Sequence, residues 1–219
     1  MSQEEKYRKL YKRLTVTELR KIVEFYHAQF PNWKVIDKGT LVREDGPVAQ
    51  GIVFERLSAG DYRPTGHVRV LVAPEDAWAL ELSQRLSIKL RQISRGQDTP
   101  EFRGCVVQAI RAEFVPSVEA PLVAEDVLAL YEKQALPTDA EAYSLAPLNA
   151  YFGREERAIY WCDVFRRLLE NRGEYALQDF NKKRQTFLNQ LEQWLHAGEA
   201  KAQLERVLQD ERRQWGLAY

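Results

Sequence analysis

The chain has 219 residues, 29% of them charged and 45% hydrophobic, with 32 basic residues balanced by 32 acidic ones. This is the composition of an ordinary folded protein, and it speaks against a disordered chain or one that holds nucleic acid through a large net positive charge. No run approaches the roughly 20 apolar residues of a membrane-spanning helix, and the N-terminal stretch MSQEEKYRKLYKRL has no apolar signal-peptide core, so the expected location is the cytoplasm.

Residues 4–29 carry helical spacing. Tyr7, Leu10, Tyr11 and Leu14 recur on one face, then Leu19, Ile22, Val23 and Tyr26, with Thr17 as the N-cap expected for the second half. Lys6, Arg8, Lys9, Lys12 and Arg13 make the first turns basic, in the ordinary case a solvated face. Short β-prone runs at 33–36 and 40–43 follow, separated by Asp37, Lys38 and Gly39.

The stretch 48–72 organises the first half. Val68, Val70 and Val72 alternate with His67, Arg69 and Leu71, the period of a strand with one buried face, which Ile52 and Phe54 are expected to share. Residues 58–66 supply turn chemistry, giving a hairpin with an extended tip. A lone hairpin is not stable in water, so a small antiparallel sheet of three or four strands covered by helices is expected. From Pro74 the period becomes helical: Trp78, Leu82, Leu86, Leu90 and Ile93 form a stripe opposed by Arg85, Lys89, Arg91 and Arg95. Thr99-Pro100 reads as an N-cap and first helical residue of a helix ending near Phe114.

Pro116 and Pro121 mark 115–121 as a boundary. The expected division is an α+β unit over 1–115 and a helical region over 122–219. Within the latter, helical runs break at Pro137, near Pro147, and at Gly153, Gly173 and Gly198.

Chemistry is sparse. His27, His67 and His196 are far apart, and Cys105 and Cys162 lack a partner at ligand spacing, so neither metal nor cofactor is expected and both thiols read as buried and free. Nucleophile elbow, phosphate loop and dinucleotide-binding patterns do not occur. Asp45, Glu55 and Arg56 resemble part of a nuclease set, without the lysine that would complete it. The least ordinary cluster is Arg43, Glu55, Arg56, Tyr62, Arg63, His67 and Arg69 around the hairpin, whose guanidiniums suit a carboxylate, a phosphate or a charged protein surface. Trp194, on the stripe formed by Leu188, Leu191 and Leu195, is a further binding candidate for a partner or a second copy.

The expected function is a noncatalytic protein-binding or accessory subunit, with a protein partner or homo-oligomer and no membrane. An immunity or antiviral-defence accessory fits that description. A nucleic-acid-binding accessory using the basic helix and hairpin is the alternative, and a small hydrolase with an unfamiliar site the third.

Overall fold

The computed structural model describes residues 12–58, 60–75, 81–87, 92–133, 137–173 and 178–217. Tyr7, Leu10 and Tyr11 with Lys6, Arg8 and Lys9, and likewise Trp78, Lys89, Leu90 and Arg91, lie outside these residues. The fold is α+β, a five-stranded antiparallel sheet with helices concentrated toward the C-terminus. Two compact units divide the chain: one takes Met1–Glu44, Ala49–Arg69 and Leu82–Leu122, the other Asp45–Val48, Val70–Glu81 and Val123–Tyr219.

The first unit begins with α1, Val16–Gln29. Its N-cap is Thr15, two residues before the expected Thr17. The Thr15 hydroxyl accepts from the Glu18 N–H at 3.2 Å and the Glu18 carboxylate accepts from the Thr15 N–H at 2.8 Å, a reciprocal box that satisfies two otherwise orphaned donors. Five strands follow: β1, Lys34–Val35; β2, Thr40–Asp45; β3, Val48–Arg56; β4, Tyr62–Val70; and β5, Glu81–Arg85. They lie side by side in chain order. In the first pair Lys34 sits opposite Val42 and Val35 opposite Leu41, so β2 runs on past the start of its edge partner. Helix α2, Pro100–Glu113, starts on Thr99 with Pro100 at its first position, as the sequence reading has it.

The core of this unit joins Leu19, Ile22, Val23 and Tyr26 of α1 to Leu41, Ile52 and Phe54 of the sheet and to Val106 and Ile110 of α2. Tyr26 stacks on Phe54 with ring centroids 4.6 Å apart. Each such fully buried side chain contributes roughly 1.5–3 kcal/mol.

Three expectations need correction here. The helix expected from Pro74 is a strand over Glu81–Arg85, and Ile93 lies beyond it in an isolated bridge with Tyr62, the N–H of each donating to the carbonyl of the other at 2.9–3.0 Å. The extended hairpin tip is short, because Arg63, Pro64, Thr65 and Gly66 belong to β4. The second face of the hairpin is buried as well: His67 is 2% and Arg69 0% exposed. Alternation assigns residues to faces but says nothing of whether the other face is covered.

The second unit contains α3, Ala124–Glu132; α4, Asp139–Tyr151; α5, Glu155–Glu170; α6, Asp179–His196; and α7, Ala200–Gln214. Helix α4 is its centre, touching α3, α5, α6 and α7 and burying every residue from Ala142 to Ala150, as a helix enclosed on all sides must. The break expected at Pro147 does not occur. Proline forgoes one backbone bond inside the helix, and enclosure by four helices carries it. Gly153, at φ 71°, ends α4, with its N–H donating to Ala150 and that of Arg154 to Asn149, the paired bonds that close a helix on a left-handed glycine. Arg184 of α6 is wedged between the Tyr143 and Phe180 rings and donates from Nε to Glu75 at 2.7 Å.

Candidate ligand cleft

The predicted site residues fall into separate environments. In the β3–β4 hairpin, Arg63 pairs with Glu55, which also accepts from the Thr65 hydroxyl at 2.7 Å. Burial works to raise the Glu55 pKa, yet the hydrogen bonds from Arg63 and Thr65 and the arginine charge leave it below its ordinary value. His67 lies directly over Gly51: a Cβ there would sit 2.0 Å from the imidazole Cε1. Burial first, and the positive charge of Arg69 second, push the His67 pKa down to about 3 against a backbone hydrogen bond at Thr65. The ring is therefore neutral near pH 7. Arg56 donates to the carbonyl of Leu14 at 3.2 Å.

Trp194 belongs to the second unit. It is half-buried and meets Phe187 edge to face, centroids 6.0 Å apart, while Leu188, Leu191 and Leu195 are buried. The nuclease-like residues are each engaged otherwise: the Asp45 carboxylate accepts from the N–H of Ala124, the first residue of α3, at 2.9 Å, and Glu55 is held as above. Among the described residues no group of three or more His, Cys, Asp or Glu is arranged to hold a metal ion. Cys162 is buried, its thiol pushed up to about 12 chiefly by that burial. Cys105, expected to be buried, is exposed on α2.

A buried polar chain crosses the first unit. The Tyr26 and Tyr62 hydroxyls are 3.0 Å apart, Tyr62 donates to Asp98 at 2.8 Å, and Arg103 donates to the same carboxylate at 2.7 Å. Burial is the main force raising both phenol pKa values, so these hydroxyls stay protonated and tie α1 and β4 to the start of α2.

Arg43, of the predicted cluster, lines an open concavity. A cleft of about 480 Å³ is lined by Gln29, Phe30, Pro31, Asn32 and Trp33 after α1, Arg43 and Glu44 of β2, Arg111 near the end of α2, and Val118, Glu119, Ala120, Pro121 and Leu122. That volume falls in the roughly 300–1,000 Å³ range of ligand clefts. One wall is the segment read from sequence as a boundary, and it is fastened to the sheet. Gln84 exchanges two 2.8 Å bonds with the backbone of Val115, Gln50 donates to the carbonyl of Pro116, and Arg43 donates to the carbonyls of Ser117 and Ala120, both at 2.5 Å. Val118 and Leu122 are buried beneath it.

The two arginines of the cleft have different tasks. Arg43 stacks over Trp33 at 5.1 Å, is fixed from behind by Gln50 at 2.6 and 2.9 Å, and has its pKa lowered by burial while remaining charged, as a guanidinium does. It is a structural clamp. Arg111 stacks over the buried Phe30 at 5.7 Å and its Nε lies 2.8 Å from the Glu119 carboxylate. The side chains of that pair are 30% and 61% exposed, so water screens it and it contributes little to stability. Sequence reasoning missed Arg111. Its one local signal is a helix C-terminus placed a few residues ahead of a Pro-flanked acidic segment.

The cleft thus offers an aromatic base, a half-exposed guanidinium, carboxylates and amides. Compared with known proteins, the chain matches no protein-family model, no curated protein and no solved structure.

Proposed function

We propose that the chain is a noncatalytic protein-binding module, an accessory subunit of the cytoplasm, and that it captures a segment of its partner in the cleft between the end of α1, β2, Arg111 and residues 118–122. The observation carrying this reading is the lining itself: buried Phe30 and Trp33 beside half-exposed Arg43, Glu44 and Arg111. A surface of mixed polar and apolar character is what a polypeptide, itself alternately polar and apolar, requires. The free thiols Cys105 and Cys162 accord with a reducing compartment. Nucleic-acid binding is less well supported, since Arg63, Arg95, Arg103 and Arg166 each pair with a carboxylate of this chain, which weakens the positive field that phosphates need.

The test is a selection. A random peptide library displayed on phage is panned against the full chain, and enriched peptides are titrated by calorimetry against it and against Ala120→Trp, which fills the cleft from an exposed position. Enriched peptides that bind the chain and fail to bind the variant are expected. Failure to enrich any peptide, or binding of a single-stranded oligonucleotide that weakens steeply with salt, would contradict the proposal.

A further inference from the structure

We infer that the ligand of this cleft is an acidic peptide segment, and that one of its carboxylates takes Arg111 over from Glu119; this rests on the protein-binding reading above. Glu119 makes with Arg111 the contact that such a ligand would make, a carboxylate oxygen 2.8 Å from Nε. It does so from the wall of the cleft, where the carbonyls of Ser117 and Ala120 on either side are held by Arg43. The Glu119 side chain can therefore swing away while its backbone stays fixed. Arg111 has a fixed place as well, because its guanidinium lies against Phe30, which is only 5% exposed. Displacing Glu119 costs little, since its own side chain is 61% exposed and such a pair contributes little; Arg111 Nε is itself buried and makes no hydrogen bond with Glu119. A ligand carboxylate brings two oxygens to the guanidinium fork, the geometry in which arginine binds most strongly.

Phosphate is the poorer match. Glu44 and Glu119 also line the cleft, and their charge opposes a dianion more than a single carboxylate. The carboxylate has two sources in a polypeptide, an Asp or Glu side chain and the chain terminus, and recognition at Arg111 is the same for both.

The experiment uses the full chain and fluorescein-labelled heptapeptide pools read by anisotropy: one pool with Glu fixed at the centre, one with Gln there, each made with a free and an amidated C-terminus. The Glu pool is expected to bind about tenfold more tightly than the Gln pool. Arg111→Gln should erase that preference. Glu119→Gln, which removes the internal competitor, should strengthen binding several-fold. If amidation abolishes binding of the Glu pool, the carboxylate is the terminus; if it does not, a side chain supplies it, and either result supports the inference. Should the pools bind and Ala120→Trp block them while neither Arg111→Gln nor Glu119→Gln alters affinity, the acidic ligand is refuted and the protein-binding reading survives. Absence of binding by every pool removes both. Displacement of the Glu pool by inorganic phosphate at concentrations where acetate has no effect overturns the choice of carboxylate.

Discussion

The β3–β4 hairpin and the cleft beside β2 are made from the same residue types, and burial gives them opposite characters. In the hairpin, Arg69 and His67 are enclosed and Arg63 is tied to Glu55; in the cleft, Arg111 meets a single exposed carboxylate. Enclosed polar side chains fix a structure, because removing any partner leaves a polar group without water. Solvent-facing cations can change partners. The hairpin should accordingly respond to substitution through stability, and the cleft through binding.

Among the substitutions, Gly51→Ala is expected to produce the largest effect. The added methyl would lie 2.0 Å from the buried His67 ring, and we expect a loss of about 3 kcal/mol in urea unfolding. Adding His67→Ala should restore part of it. Full stability of Gly51→Ala would break the claim that the hairpin is closed on this face.

Acid should act next. The folded pKa of His67, about 3, is depressed from the ordinary 6.5, so between these values the unfolded chain binds a proton that the folded chain does not. Stability is then complete above pH 6.5 and falls as the pH drops toward 3, by at most about 1.4 kcal/mol per pH unit. Glu18 and Glu55, whose values lie below the usual 4.5, add their own losses only below that point. Between pH 6.5 and 4.5 the slope of unfolding free energy should therefore flatten in His67→Gln.

Arg43→Ala should cost about 2 kcal/mol, the scale of losing hydrogen bonds from a charged donor, and should speed proteolytic cleavage within residues 115–122, since its two carbonyl contacts help to hold that segment. Trp194→Ala, at a half-buried position against Phe187, should lower stability by roughly 1–2 kcal/mol. If Trp194 joins two copies, sedimentation will show a shift toward monomer as well.

Much of the fold was legible because its signals are local. Thr99-Pro100 marks the start of α2 and Gly153 the end of α4, whereas the α1 cap, expected at Thr17, is the Thr15 of a Thr15-Val16-Thr17-Glu18 capping box. Ile52, Phe54, Val68 and Val70 alternate as strands do, and all are buried. The fifth strand was not legible. Leu82, Leu86 and Ile93 repeat at intervals that also suit a helix, and only pairing across the sheet, a contact between distant residues, decides for the strand. The candidate site is non-local too: its lining comes from four separate stretches. Arg43 drew notice through its neighbours, whereas Arg111 and Glu119 acquire meaning only when the Pro-flanked segment folds back. The prolines that punctuate this stretch of sequence flank a wall in the structure.

The distinction between enclosed and exchangeable arginines is tested most directly on Arg111 itself. In ¹⁵N-labelled chain, the Nε–Hε resonances of Arg111 and Arg43 report on their hydrogen-bond partners as a Glu-centred peptide is added. A saturable shift of the Arg111 resonance is expected, abolished in Ala120→Trp, with Arg43 little changed. Saturable peptide binding that leaves the Arg111 resonance in place and moves those of Arg63 or Arg69 would contradict the distinction.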